Sequence, residues 1–122
     1  MQPRLLVLDD DETIGQVLST FLEGKGFEVI VVSASKDAME AVDHEKFDLA
    51  IFDVDIAGEN GLELLRFFKT NFPQLPVIML TGMAGSEELI EQARLRGANG
   101  FMRKNDPLEN LYEMVQSYVR KP

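Results

Sequence analysis

The sequence predicts an α/β domain, a five-stranded parallel sheet with helices on both of its faces. Short aliphatic runs alternate with helical stripes five times along the chain. Most of the runs are apolar almost throughout, as strands covered on both sides are. No linker, repeat or low-complexity stretch interrupts the alternation, so residues 1–122 read as a single domain.

The strand runs are Leu5–Leu8, Val29–Val32, Leu49–Phe52, Val77–Leu80 and Gly100–Met102. Between the first two, Ile14, Val17, Leu18, Phe21 and Leu22 form one stripe that ends at Gly24 and Gly26. A weaker second helix follows Ser35, with Ala38, Ala41 and Val42 inward. The third carries Leu62, Leu65 and Phe68 and stops before Pro73. The fourth opens after Ser86 with Glu87 and Glu88 in its first turn and ends at Gly97. In the fifth, Asp106 reads as N-cap, Pro107 as the first helical residue and Glu109 as the partner of a capping box. Leu108, Leu111, Tyr112, Val115 and Val119 make its buried face.

Composition narrows the chemistry. The chain is 45% hydrophobic, enough for a core without disulfides or structural metal. With no cysteine and one histidine, His44, thiolate metal centres, Cys nucleophiles and sites needing two histidines are excluded. No run approaches the roughly 18 apolar residues of a membrane span and no basic-plus-apolar leader opens the chain, so a cytoplasmic protein is expected. The formal charge is −9, and it is uneven: residues 1–63 hold 15 acids and 4 bases, residues 64–122 hold 6 acids and 8 bases. Such a balance repels nucleic-acid phosphate, so direct nucleic-acid binding is not expected. The six Met and most of the Phe residues read as core filling.

In open parallel sheets the functional residues collect beyond the carboxyl ends of the strands. Here the first strand runs into Asp9, Asp10, Asp11 and Glu12; the third ends on Asp53, with Asp55 two residues on; the fourth ends on Thr81; the fifth delivers Lys104. Each alone has a plainer explanation. Asp10 or Asp11 caps a helix, Asp53 opens a Gly- and Asn-rich turn, Thr81 closes a strand and Lys104 is solvated. Together they assemble carboxylates that resist joint ionisation without a cation, and Mg²⁺ with oxygen ligands suits them. Carboxylate nucleophile, cation, amine and hydroxyl are the equipment for moving a phosphoryl group onto Asp53.

LLVLDDDE at 5–12, LAIFDVDIAGENGLELL at 49–65, VIMLTG at 77–82 and GANGFMRK at 97–104 resemble the response-regulator receiver domains of two-component signalling. The likeness covers essentially the whole chain. It implies the flavodoxin-like strand order 2-1-3-4-5. It also implies Asp9 and Asp10 as the acidic pair for Mg²⁺, Asp53 as phosphoacceptor and further metal ligand, and the Asp55 backbone carbonyl as another ligand. Thr81 would be the switch hydroxyl, Lys104 the phosphate-pairing amine and Phe101 the switch aromatic. The donor would be a histidine kinase or phosphotransfer protein, and the only chemistry catalysed would be the domain's own phosphorylation and dephosphorylation. The changed surface would be the fourth helix, fifth strand and fifth helix. There Arg94, Arg96 and Arg103 suit an acidic output partner, a covalent output domain or a matching subunit in a homodimer.

Three departures from the family pattern stand out. Ala57 replaces a proline four residues after the phosphoacceptor, Asn105 replaces the proline after Lys104, and Asp55 and Met83 occupy positions that influence phosphoryl lifetime. The usual Lys-Pro bond is cis in the family, but before Asn a cis bond costs about 2.5–4 kcal/mol. With Asp106-Pro107 anchoring the next helix, a trans Lys104–Asn105 bond is expected. Asp53-Val54-Asp55 also resembles the opening motif of haloacid-dehalogenase-type phosphatases, although the order of acidic motifs and the chain length fit poorly. A degenerate receiver used only for protein binding is disfavoured by the intact Asp9, Asp10, Asp53, Thr81 and Lys104. A flavodoxin-like or dinucleotide-binding module is rejected, because Asp9–Glu12 would repel phosphate where that fold needs a Gly-rich loop.

Overall fold

Each aliphatic run becomes a strand and each stripe a helix. The computed structural model describes residues 2–56, 59–82 and 87–119, with backbone alone at 55, 56, 59 and 60. In chain order the elements are β1 (Arg4–Leu8), α1 (Glu12–Gly24), β2 (Glu28–Val32), α2 (Ser35–His44), β3 (Leu49–Asp53), β4 (Asp55–Ile56), β5 (Glu59–Asn60), α3 (Gly61–Asn71), β6 (Val77–Thr81), α4 (Glu87–Leu95), β7 (Gly100–Arg103) and α5 (Leu108–Val119). The sheet order is β2-β1-β3-β6-β7 and every pairing in it is parallel. Counting only these five strands, that is the order 2-1-3-4-5.

Alternation along the strands sorts the core into two halves. Leu6, Leu8, Ala50, Phe52, Val77 and Met79 face the side covered by α2, α3 and α4. Leu5, Val7, Leu49, Ile51, Ile78 and Leu80 face α1 and α5. Successive strand residues point to opposite faces, so a strand buried on both sides must be apolar at every position. The central strands β3 and β6 are buried throughout; the edge strands β2 and β7 are only partly so, and Val31 is exposed. Phe52 meets Phe68 edge-on at 4.8 Å, an arrangement worth about 0.5–1.5 kcal/mol beyond burial.

The glycines read as helix stops do stop helices. After α1, Gly26 sits at φ +98°, its N–H donating to Glu23 O while Phe27 N–H donates to Leu22 O. After α4, Gly97 at φ +103° repeats the device on Arg94 O and Ala93 O. Only glycine takes that backbone without penalty. The α2 start differs slightly from the expectation: Ser35 is the first helical residue, and Ala34 precedes it without a side-chain cap.

The expected capping box of α5 does not form. The Glu109 carboxylate instead lies 3.3 Å from Lys25, whose ammonium rests over the rings of Phe21 and Tyr112 at 5.4 and 4.9 Å. A cation held between α1 and α5 draws the carboxylate away from the helix terminus. The loop after β3 also holds more order than a turn-rich sequence suggests, because Asp55 pairs with Asn60 and Ile56 with Glu59 in a short antiparallel ladder. Ala57, Met83 and Ser86, singled out above, lie outside the described residues.

Candidate functional site

β1 has β2 on one side and β3 on the other, so the strand order reverses between β1 and β3. In open α/β sheets a crevice opens at that point beyond the carboxyl ends. Asp9 directly follows β1 and Asp53 is the last residue of β3, which puts both carboxylates at the crevice. Both are buried, at 1% and 2% exposure, whereas Asp10 is exposed. Carboxylate oxygens of Asp9, Asp10 and Asp53 lie within 4.8 Å of one another.

Lys104 reaches this group from the turn after β7. Its ammonium lies 2.9 Å from Asp53 Oδ2 and 3.0 Å from Asp9 Oδ2, and its backbone N–H donates to Thr81 O at 2.8 Å. Thr81, the last residue of β6, is buried at 1% exposure and pairs in register with Arg103 of β7. The lysine stem passes above Gly82, where an added Cβ would stand 3.7 Å from Lys104 Cδ. The structure thus brings Asp9, Asp10, Asp53, Thr81 and Lys104 to one end of the sheet. Phe101 stands apart, half-buried on β7 against the core on the α2–α3–α4 side. Of Asp55, the backbone alone is described, paired with Asn60.

Two features hold the acidic loops in place. Asp11 N–H donates to Asp9 Oδ1 at 2.9 Å, while Asp11 Oδ1 accepts from Thr13 and Ile14 N–H and so caps α1. Of the two carboxylates read as alternative caps, Asp11 takes that role. Gly61 opens α3 against the loop after Asp53, donating from its N–H to Val54 O at 3.0 Å. A Cβ at Gly61 would lie 2.6 Å from the carbonyl oxygens of Asp53 and Val54, so no larger residue allows this approach. A lone glycine in a Gly-rich stretch offered no hint of that contact.

The charges do not balance. Among the described residues, one ammonium is placed within ion-pair distance of the two buried carboxylates, with a third carboxylate at the rim, and the buried Asp9 Oδ2 receives no well-directed hydrogen bond. Oxygen donors with an excess of negative charge fit a hard divalent cation such as Mg²⁺. Burial works to lower the pKa of Lys104, but its contacts with Asp53 and Asp9 outweigh burial and raise it above the usual 10.5. The stability contributed by the Lys104 titration is therefore fully present below its unfolded value of 10.5 and is lost as pH rises through the higher folded value. Lys69 acts oppositely, since burial lowers its pKa. Urea denaturation of the wild type and Lys104→Met in parallel cancels that second contribution. Their stability difference is expected to hold from pH 7 to about 10 and to shrink above it; a difference that grows there contradicts the sign.

The fold and the pocket define a doubly wound α/β domain with a cation-attracting acidic cluster at its switch point. A family model described as the response regulator receiver domain matches residues 5–116. The response regulator protein FleR of Pseudomonas aeruginosa is 30% identical over 98% of this chain and 25% of its own length. The heme response regulator HssR of Staphylococcus saprophyticus is 31% identical over 95% of this chain and 51% of its own. The chain thus spans between a quarter and about half of these relatives. Among solved structures, a response regulator receiver domain protein from Methanospirillum hungatei superposes with a TM-score of 0.89 at 28% identity, covering 98% of this chain and 94% of that one. This chain belongs to the response regulator receiver domain family. Receiver domains are in general phosphoacceptors and not enzymes acting on an external substrate. The phosphatase alternative gains no support from these similarities.

Proposed function

We propose that residues 1–122 act as one receiver unit in which Asp53 accepts a phosphoryl group from a histidine kinase or phosphotransfer protein. The observation that carries this reading is the Asp53 carboxylate with Lys104 Nζ 2.9 Å away and Asp9 and Asp10 beside it. An Asp53 oxygen attacks phosphorus; the new O–P bond forms as the P–N bond of the donor phosphoimidazole breaks, and the leaving ring takes one proton from solvent. Lys104 aims its charge at the oxygens of the transferring group, and Thr81 donates its hydroxyl proton to one of them. Bound by Asp9, Asp10, Asp53 and the Asp55 carbonyl, Mg²⁺ would supply positive charge to the phosphoryl oxygens.

Once phosphorylated, Asp53 draws the Thr81 side chain inward, and Phe101 turns into the space it leaves. Lacking a hydroxyl, Phe101 has no polar anchor at either end of that rotation, so packing governs it. The surface so altered is α4–β7–α5, the proposed contact for an output partner, an output domain or a second copy. The same unit catalyses its own phosphorylation and dephosphorylation and works in the cytoplasm. Among the described residues no helix is long and apolar enough to cross a membrane. Beryllium fluoride with Mg²⁺ is expected to shift the amide resonances of Asp53, Thr81 and Lys104 and those of α4–β7–α5. Saturating reagent that leaves Thr81 and Lys104 unmoved overturns the reading.

A further inference from the structure

We propose that Asp106 is the positioning residue for Lys104, holding its ammonium on the Asp53 carboxylate; this rests on Asp53 being the phosphoacceptor. Asp106 grips Arg103 by both of its backbone groups. Its N–H donates to Arg103 O at 3.0 Å and its Oδ2 accepts from Arg103 N–H at 3.3 Å. Lys104 and Asn105 are the central residues of the four-residue turn so closed. Neither is a proline, so no ring fixes the backbone in the turn's own middle. No cis peptide bond occurs among the described residues, in line with the trans Lys104–Asn105 bond expected from the sequence.

The sheet cannot do this work alone. Its last pairing at this edge is Thr81 with Arg103, one residue short of Lys104. Beyond it, the Lys104 N–H to Thr81 O bond and the Asp106 closure are the hydrogen bonds that hold the backbone between the strand and α5 among the described residues. A lysine side chain has four rotatable bonds, and its ammonium reaches a carboxylate reliably only from a fixed Cα. Asp106 is also not occupied elsewhere. Its carboxylate neither forms an ion pair among the described residues nor caps α5.

The test reads lysine exposure directly. Trace reductive methylation with formaldehyde, followed by peptide mass spectrometry, ranks each amine by accessibility. In the wild type Lys104 is expected to react more slowly than the exposed Lys36 and Lys46. Asp106→Ala should raise the Lys104 rate about fivefold, the factor one net hydrogen bond is worth. Lys69, held by Leu75 O at 2.8 Å and Asn99 Oδ1 at 3.0 Å, should stay protected in that variant. Asp106→Asn keeps an acceptor oxygen and should keep Lys104 protected. With acetyl phosphate as donor, Asp106→Ala should slow phosphorylation of the wild type but have no effect on a Lys104→Met background. Unchanged Lys104 labelling, joint loss of Lys69 protection, or equal slowing in both backgrounds overturns the proposal. A wild type that takes no phosphoryl group defeats the acceptor reading, and the labelling arm then judges Asp106 by itself.

Discussion

Asp53→Asn is expected to take up no phosphoryl group from acetyl phosphate under conditions that label the wild type. An amide oxygen is a far weaker nucleophile than a carboxylate oxygen, and the rest of the group offers no equal replacement. Asp9 is buried behind a hydrogen bond from Asp11 N–H and the Lys104 ion pair, and Asp10 sits at the exposed rim. The substitution is nearly isosteric, so the fold should persist with Lys104 still 3.0 Å from Asp9. Mg²⁺ affinity should fall about tenfold or more, because a unit charge has left the cluster that attracts the ion. Calorimetric Mg²⁺ titration and intact-mass spectrometry read the two effects separately. Phosphoryl incorporation that survives in Asp53→Asn would move the acceptor to another residue.

Lys104→Met is expected to act in two opposite directions. The ammonium rests on oxygens that the proposed Mg²⁺ site would use, at 2.9 Å from Asp53 and 3.0 Å from Asp9. Removing it should raise Mg²⁺ affinity about tenfold, the range of one charge-assisted hydrogen bond. The same change should slow phosphorylation about a hundredfold, as happens when a preorganised donor to a charged transition state is lost. Tighter ion binding with slower chemistry is a combination that general damage to the fold does not produce. A variant that binds Mg²⁺ more weakly than the wild type would show that Lys104 does not compete for the site.

Much of this arrangement was legible from residue order. Aliphatic runs buried on both faces mark β1, β3 and β6 without ambiguity, and each of the last two ends on the polar residue that the site uses. Gly26 and Gly97 mark their helix ends because a positive φ leaves few other residues in place. What stayed hidden depends on contacts between distant segments. Asp106 read as a helix cap, since Asp-Pro before an apolar stripe is a common start signal. Its partner turned out to be Arg103 on the preceding strand. Glu109 read as part of the same cap, and only the approach of α1 to α5 gives it Lys25 instead. Lys69 and Asn99 carried no signal at all. They meet because α3, the loop before β6 and the loop before β7 converge, where Asn99 Oδ1 accepts from both Lys69 Nζ and Val77 N–H at 3.0 Å.

The central claim is that one carboxylate, Asp53, carries the phosphoryl group. The most direct measurement treats wild-type protein with acetyl phosphate and Mg²⁺, reduces the product with borohydride, and sequences the peptides by mass spectrometry. Reduction converts an aspartyl phosphate to homoserine and leaves unmodified aspartate untouched. The expected result is homoserine at position 53 alone, absent when a chelator removes the divalent ion. Homoserine at position 9, 10 or 55, or equal labelling at position 53 in the presence of chelator, would contradict the account.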